Sequence, residues 1–224
     1  MSTVDKSERD CLLDEIREEV RDTHRFTGRS ELEQRVMEAL RQTPRDEFVP
    51  HELRYGAYAN RPLPIGHGQT ISQPYVVALM TDLIQPRADD VVLEIGAGSG
   101  YQAAVLSHLV KQVYSIEIIE ELAGQASQRL QRLGYENVEV RAGNGRLGWP
   151  EHAPYDAILV TAATTRVPPA LIEQLKPGGT MVIPVGAQQV AQDLVVIRKL
   201  SDGSIEEKHV LPVVFVPLTG SPHD

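Results

Sequence analysis

This chain of 224 residues holds one cysteine, one tryptophan and three phenylalanines, and no apolar run approaches the ~20 residues that cross a bilayer. A single thiol, Cys11, cannot close an intramolecular disulfide, so a reducing compartment suffices. Residues 1–25 are too charged for the apolar stretch of a secretory signal, and the cytoplasm, away from any membrane, is the expected location. Basic residues are scarce as well. Against 31 Asp and Glu stand 22 Lys and Arg, a formal charge of -9, which argues against a nucleic-acid partner because phosphate binding needs a basic face. The histidines are scattered without zinc-ligand spacing to the cysteine, so no metal is expected.

What the chain does have is a glycine loop between two acidic positions. The apolar run Val91-Val92-Leu93-Glu94-Ile95 leads into Gly96-Ala97-Gly98-Ser99-Gly100, and a second run, Val113-Tyr114-Ser115-Ile116, ends in Glu117. Glycines without Cβ atoms allow a sharp turn and close approach to a ligand. The spacing is GxGxG, with Tyr101 where a dinucleotide fingerprint places its third glycine, which disfavours NAD. Glu94, in a buried-strand context, needs a donor or cationic partner, and the ammonium of S-adenosylmethionine would supply one. Glu117 suits both hydroxyls of a ribose. Asn144, in Ala142-Gly143-Asn144-Gly145, offers an acceptor and a donor to an adenine edge, or else forms an Asn-Gly turn. Thr161-Ala162-Ala163 leave space for a substrate at a strand end.

The pattern from residue 90 onward alternates strand and helix: strands over 91–95, 112–117, 137–141, 156–161 and 180–185, and helices over 100–109, 118–133 and 168–175. Two more runs, 193–200 and 209–216, flank Ser201-Asp202-Gly203-Ser204 as an antiparallel hairpin at the edge. This predicts an α/β fold, a doubly wound, mostly parallel seven-stranded sheet with helices on both faces. Upstream, residues 4–24 read as a helix, residues 1–30 as a helical extension, and residues 31–224 as a single domain. Ser30 and Glu33 match a capping box for a second helix that ends before Pro44. Residues 45–68, broken by prolines and glycines, read as an ordered loop or lid, and 73–85 as a helix entered through Pro74, with Ser72 a candidate N-cap.

Leu63-Pro64-Ile65-Gly66-His67-Gly68-Gln69-Thr70-Ile71-Ser72-Gln73-Pro74, taken with the glycine loop, Pro154-Tyr155-Asp156, Leu175-Lys176-Pro177-Gly178-Gly179 and Phe215-Val216-Pro217-Leu218, closely resembles protein-L-isoaspartate O-methyltransferases. The resemblance implies a Rossmann-like methyltransferase fold whose last two strands depart from the usual order. It implies methyl transfer from S-adenosylmethionine, leaving S-adenosylhomocysteine, to the carboxylate of L-isoaspartyl residues in damaged proteins and peptides, by a monomer or weak homo-oligomer. By resemblance, Ser72 is the active-site serine and Gln69, Thr70 and Ile71 lie along cofactor and substrate. Glu94 is placed near the methionine end, Gly96, Gly98 and Gly100 around the cofactor, Glu117 on the ribose, Gly143 and Asn144 at the adenine, and Thr219 at the cofactor's carboxylate end. Thr161, Ala162, Ala163 and the Val216 backbone would line the peptide channel. The family usually carries Asp where this chain has Asn144, and the amide forgoes charge assistance, so weaker cofactor binding is expected. A small-molecule carboxyl methyltransferase, or a cofactor-binding module with reduced activity, is the alternative.

Overall fold

The computed structural model describes residues 3–187 and 190–220; the outermost residues of the expected extension and of the expected domain lie outside the described residues. Helix α1, Thr3–Thr27, ends where Gly28 adopts φ +71° and its N–H donates to the His24 carbonyl at 2.8 Å, a glycine stop. Helix α2 covers Gln34–Gln42 and has Glu33, not Ser30, at its N-cap. The expected capping box is replaced by a tertiary contact: buried Asp82 accepts from the Glu33 N–H at 2.7 Å and pairs with Arg29 at 3.0 Å. Two 3-10 turns, Arg45–Phe48 and His51–Gly56, precede a small hairpin of β1, Leu63–Gly66, and β2, Gln69–Ile71. The segment read as an irregular lid therefore contains a two-stranded sheet. Helix α3, Pro74–Leu83, follows directly.

The main sheet is built from β3 (Val91–Ile95), β4 (Gln112–Glu117), β5 (Val138–Ala142), β6 (Tyr155–Val160), β7 (Leu175–Val185), β8 (Gln192–Lys199) and β9 (Ile205–Val213), in the order β5-β4-β3-β6-β7-β8-β9. Strands β3 to β7 run parallel, crossing over through α4 (Tyr101–Ser107), α5 (Glu120–Arg132) and α6 (Pro169–Gln174). Strands β8 and β9 complete an antiparallel meander. The seven-stranded α/β sheet agrees with the expectation from sequence, with two corrections. Strand β7 begins five residues early, at Leu175, because the Lys-Pro-Gly-Gly turn bulges out of the strand between the pairs Tyr155↔Leu175 and Ala157↔Thr180. Strand β9 is shifted to Ile205–Val213, since its charged, exposed first half pairs with β8 as an edge strand, where charge discourages further pairing.

Alternate residues of each strand enter opposite cores, as the two-residue period of a strand requires. Val92, Val113, Ala157, Leu159 and Val182 share one core with α1 to α4, while Leu93, Ile95, Ile116, Ile158 and Val160 pack with Leu171 of α6 and Trp149 on the other face. Helix α1 is part of the first core, through Leu12, Leu13, Ile16 and Val20. Trp149 is buried, with the Arg141 guanidinium 4.1 Å from its ring and Tyr114 edge-on at 5.3 Å. Because Ile16 is wholly buried in the core shared with the sheet, Ile16→Ala is expected to lower the stability of the entire chain by ~2–5 kcal/mol in one transition, measured by urea unfolding. An unshifted main transition would mean that α1 folds apart from the sheet.

Candidate active site

Strand β3 ends at Ile95, and the chain turns through Gly96, Gly98 and Gly100 at φ +98°, +53° and +89°, a region where a side chain would be strained. The N–H groups of Gly96 and Ala97 both donate to the Ile116 carbonyl, at 2.8 and 3.2 Å. From the tip of β6, the Thr161 hydroxyl donates to the carbonyls of Ile95 (3.1 Å) and Gly96 (2.7 Å), and a Cβ at Gly96 would strike that hydroxyl. A Cβ at Gly100 would meet Leu130 of α5 at 3.1 Å. The third glycine thus packs loop against helix, the task a dinucleotide fingerprint gives its own third glycine one residue later.

The two acidic positions have different surroundings. Glu117, at the tip of β4, accepts from the Gly98 N–H at 2.8 Å and the Ile119 N–H at 3.0 Å, and it faces the cleft. Glu94 is wholly buried behind the loop; one oxygen accepts from the Ser115 hydroxyl on β4, the other has no hydrogen-bond partner among the described residues, and it does not line the cleft. Burial, reinforced by the charge of Glu117 and opposed by the Ser115 hydrogen bond, pushes the Glu94 carboxyl up to about 8.

Over the glycine loop lies the β1–β2 hairpin, whose Ile65 methyl would sit 3.3 Å from a Cβ at Gly98. Its tip residues, His67 and Gly68, both have positive φ, as a two-residue turn of the primed type demands. His67 Nδ1 stands 3.3 Å from Glu121 on the first turn of α5. Below the hairpin, the fully buried Arg45 guanidinium donates to the carbonyls of Ala57 (2.9 Å), Arg61 (3.3 Å) and Ser72 (2.8 Å) and lies 4.9 Å over the Tyr101 ring. Desolvation lowers its pKa, with Tyr101 acting in the opposite sense. The N-cap of α3 is Gln73, so Ser72 stands one residue outside the helix and does not cap it. No hydrogen bond among the described residues engages the Ser72 hydroxyl.

These elements enclose a cleft of about 760 Å³ beyond the carboxyl ends of β3, β4 and β6, the place where open α/β sheets bind ligands. Of the residues expected at the site, Gln69, Thr70, Ile71, Ser72, Gly96, Gly98, Glu117, Thr161, Ala162, Val216 and Thr219 line it. Glu94, Gly100, Gly143, Asn144 and Ala163 do not line it. The Ala163 N–H donates to the Val216 carbonyl (2.8 Å) and the Leu218 N–H to the Ala163 carbonyl (2.7 Å), tying the chain's last segment to the tip of β6. Asn144 accepts from the Arg146 N–H at 3.0 Å and donates to the Gly220 carbonyl at 2.8 Å, so each of its polar groups has a local partner. Ser99, Gln102, Ile118 and Leu218 also line the cleft and were not singled out from sequence. Ile118, large, apolar and 42% exposed immediately after the strand-end Glu117, carried a readable signal. A second groove of about 1080 Å³ adjoins the first and shares Thr70, Ser72, Thr161 and Val216 with it.

A family model described as Protein-L-isoaspartate(D-aspartate) O-methyltransferase matches residues 19–223. The chain belongs to this family. It is 59% identical over 209 residues to protein-L-isoaspartate O-methyltransferase 2 of Polaromonas sp. (strain JS666), covering 93% of this chain and 99% of that relative. It is 60% identical over 194 residues to protein-L-isoaspartate O-methyltransferase 1 of Cupriavidus necator, covering 87% of this chain and 75% of that one. Among solved structures, a protein-L-isoaspartate O-methyltransferase superimposes with a TM-score of 0.81 at 28% identity, over 95% of this chain and 66% of that chain. A Plasmodium falciparum structure in complex with S-adenosyl-L-homocysteine shares the fold, at TM-score 0.76 and 22% identity, over 96% of this chain and 98% of that one.

S-adenosylmethionine, the cofactor of protein-L-isoaspartate O-methyltransferases, fits these residues. The glycine turn leaves room that a Cβ would fill, and the Glu117 carboxylate faces the cleft beside the apolar Ile118. Folded Glu94 retains a proton that an unfolded chain loses above its ordinary value of 4.5, so its contribution to stability falls as pH rises from about 4.5 to about 8. Glu94→Gln is expected to remove that slope, and melting points at pH 5 and pH 8.5 check it; an unaltered slope would contradict the buried, protonated state. Asn144→Asp replaces the donor to Gly220 with a carboxylate and is expected to lower stability by roughly 0.5–1.5 kcal/mol without tightening cofactor binding. Tighter S-adenosylhomocysteine binding by calorimetry, with an unchanged melt, would restore the reading from sequence.

Proposed function

We propose that the chain transfers a methyl group from S-adenosylmethionine to the free carboxylate of L-isoaspartyl residues in proteins and peptides, forming the ester that leads to a succinimide and repair. The observation that carries this reading is the wall shared by cleft and groove: Thr70, Ser72, Thr161 and Val216 face both. A nucleoside cofactor in the first and a peptide backbone in the second would meet there. A small-molecule carboxyl methyltransferase would have no use for the groove beyond Ser72.

When bound, the cofactor supplies an electrophilic methyl group on a sulfonium. Glu117 would hold the ribose, Gln69 to Ile71 would cover the cofactor, and Gly96, Gly98 and Thr219 would border it. The isoaspartyl carboxylate, with a reference pKa of ~4, is already anionic at neutral pH, so no general base is required. What remains is alignment and exclusion of water, which can contribute up to roughly 7–11 kcal/mol. The Ser72 hydroxyl, which no hydrogen bond among the described residues engages, would donate to the substrate carboxylate. It positions that group without the stable ion pair a lysine would form. Arg45 sets the height of Ser72 through its carbonyl, and the Ile65 hairpin roofs the site. In this reading the partners are isoaspartyl proteins and peptides met in the cytoplasm by a monomer or weak homo-oligomer, and nucleic acid is not among them, consistent with the excess of acidic residues. Among the described residues no helix is long and apolar enough to cross a membrane.

Incubation with labelled S-adenosylmethionine and an isoaspartyl peptide beside its aspartyl twin is expected to label the isoaspartyl peptide alone. Loss of one charged hydrogen bond in Ser72→Ala is expected to reduce kcat about 10- to 100-fold while leaving S-adenosylhomocysteine affinity within about twofold. Unchanged turnover would remove Ser72 from the mechanism.

A further inference from the structure

Building on the peptide-methylating reading above, we propose that Glu19 of α1 selects among isoaspartyl substrates, favouring a cationic side chain next to the isoaspartyl residue and disfavouring an anionic one. The groove that adjoins the cofactor cleft at Ser72 is bordered by α1 through Glu19, the one Asp, Glu, Lys or Arg among its described lining residues. The carboxylate is half-buried and fixed: it accepts from Asn60 Nδ2 at 2.7 Å and from Gln73 Nε2 at 3.0 Å. Gln73 adjoins Ser72 and caps α3, so the same residue that borders the reacting position holds Glu19 at the groove. Both partners are neutral amides. They orient the charge and leave it uncompensated, and no salt bridge to Glu19 exists among the described residues.

The surroundings reinforce the sign. Burial raises the Glu19 pKa, the hydrogen bonds from Asn60 and Gln73 hold it down in favour of the charged form, and Asp22 and Glu15 on the same helix act on it as further charges of its own sign. The cations nearest along α1, Arg17 and Arg21, turn to the cleft between α1 and α2. Other elements facing the groove contribute Tyr75 and Val76 from α3 and apolar side chains in and after β9, with no cation among the described lining residues. A peptide led past Ser72 therefore carries its flanking side chains into an environment with one ordered, unpaired negative charge. A pairing of opposite charges across several ångströms at a partly solvated site changes an equilibrium about three- to tenfold.

The test uses the full chain and one isoaspartyl host peptide made with Ala, Lys or Glu at the residues before or after the isoaspartyl position. On at least one side, kcat/KM is expected to fall in the order Lys, Ala, Glu, with steps of about three- to tenfold at low salt that shrink as salt is added. In Glu19→Gln, which keeps an acceptor for Gln73 and Asn60, the ratio of the Lys to the Glu peptide should fall to within about twofold of one, and in Glu19→Lys it should invert. Since each ratio is taken within one protein, a general loss of activity in a variant does not imitate the effect. A wild-type enzyme that methylates all peptides equally, or a Lys-to-Glu ratio that persists in Glu19→Gln, would overturn the inference and leave the peptide-methylating reading intact. No methylation of any isoaspartyl peptide would overturn both.

Discussion

Two backbone hydrogen bonds at Ala163 carry much of the weight of this site. The Ala163 N–H to Val216 and the Leu218 N–H to Ala163 draw the segment after β9 across the sheet to the tip of β6. Phe215 assists, with its N–H on the Gln192 side chain at 2.9 Å rather than in the ladder. Without this return, Val216 would border neither cavity and Thr219 would not reach the cofactor cleft. A parallel sheet alone supplies a crevice at its carboxyl edge, and the returning strand end converts the crevice into two connected compartments.

The other wall depends on a buried charge. Arg45 is held by three carbonyl oxygens on Nε and one terminal nitrogen and by a tyrosine face, with no carboxylate among its described partners. Its partners are residues 57, 61 and 72, so a single guanidinium ties the two ends of the lid together. Ser72 gains its position from this knot and from the hairpin before it. That suits a reaction whose nucleophile is already ionised: the demand on the protein is geometric, and the geometry comes from backbone contacts more than from acid and base side chains.

Much of this was legible from residue order. The alternation of apolar runs from Val91 to Val185, the glycine turn and the carboxylate at Glu117 predicted the sheet and the crevice, because strand period and glycine conformations are local properties. Ser72 and Gln69 to Ile71 were legible through a resemblance in a continuous motif. The errors share a cause. Ser30 lost its capping role to Asp82, a residue 52 positions away, and the edge pairing of residues 205–208 left no apolar pattern to read. Asn144 accepts within the turn after β5 and ties down Gly220, a contact 76 positions away that no local pattern shows. Glu94 was seen to need a donor, but Ser115 on the neighbouring strand could be found only from the register.

Sequence by itself determined the strands and helices from residue 91 onward, the parallel sense of the strands up to β7, the glycine turn and the family, since each rests on short-range pattern or on contiguous motif. Tertiary structure decided which residues share a wall: that α1 packs into the main core and sets Glu19 beside the groove, that Arg45 holds Ser72, and that Val216 returns to Ala163. Those are contacts between positions tens of residues apart, chosen by packing and by the need to satisfy buried donors and acceptors, and no local periodicity encodes them.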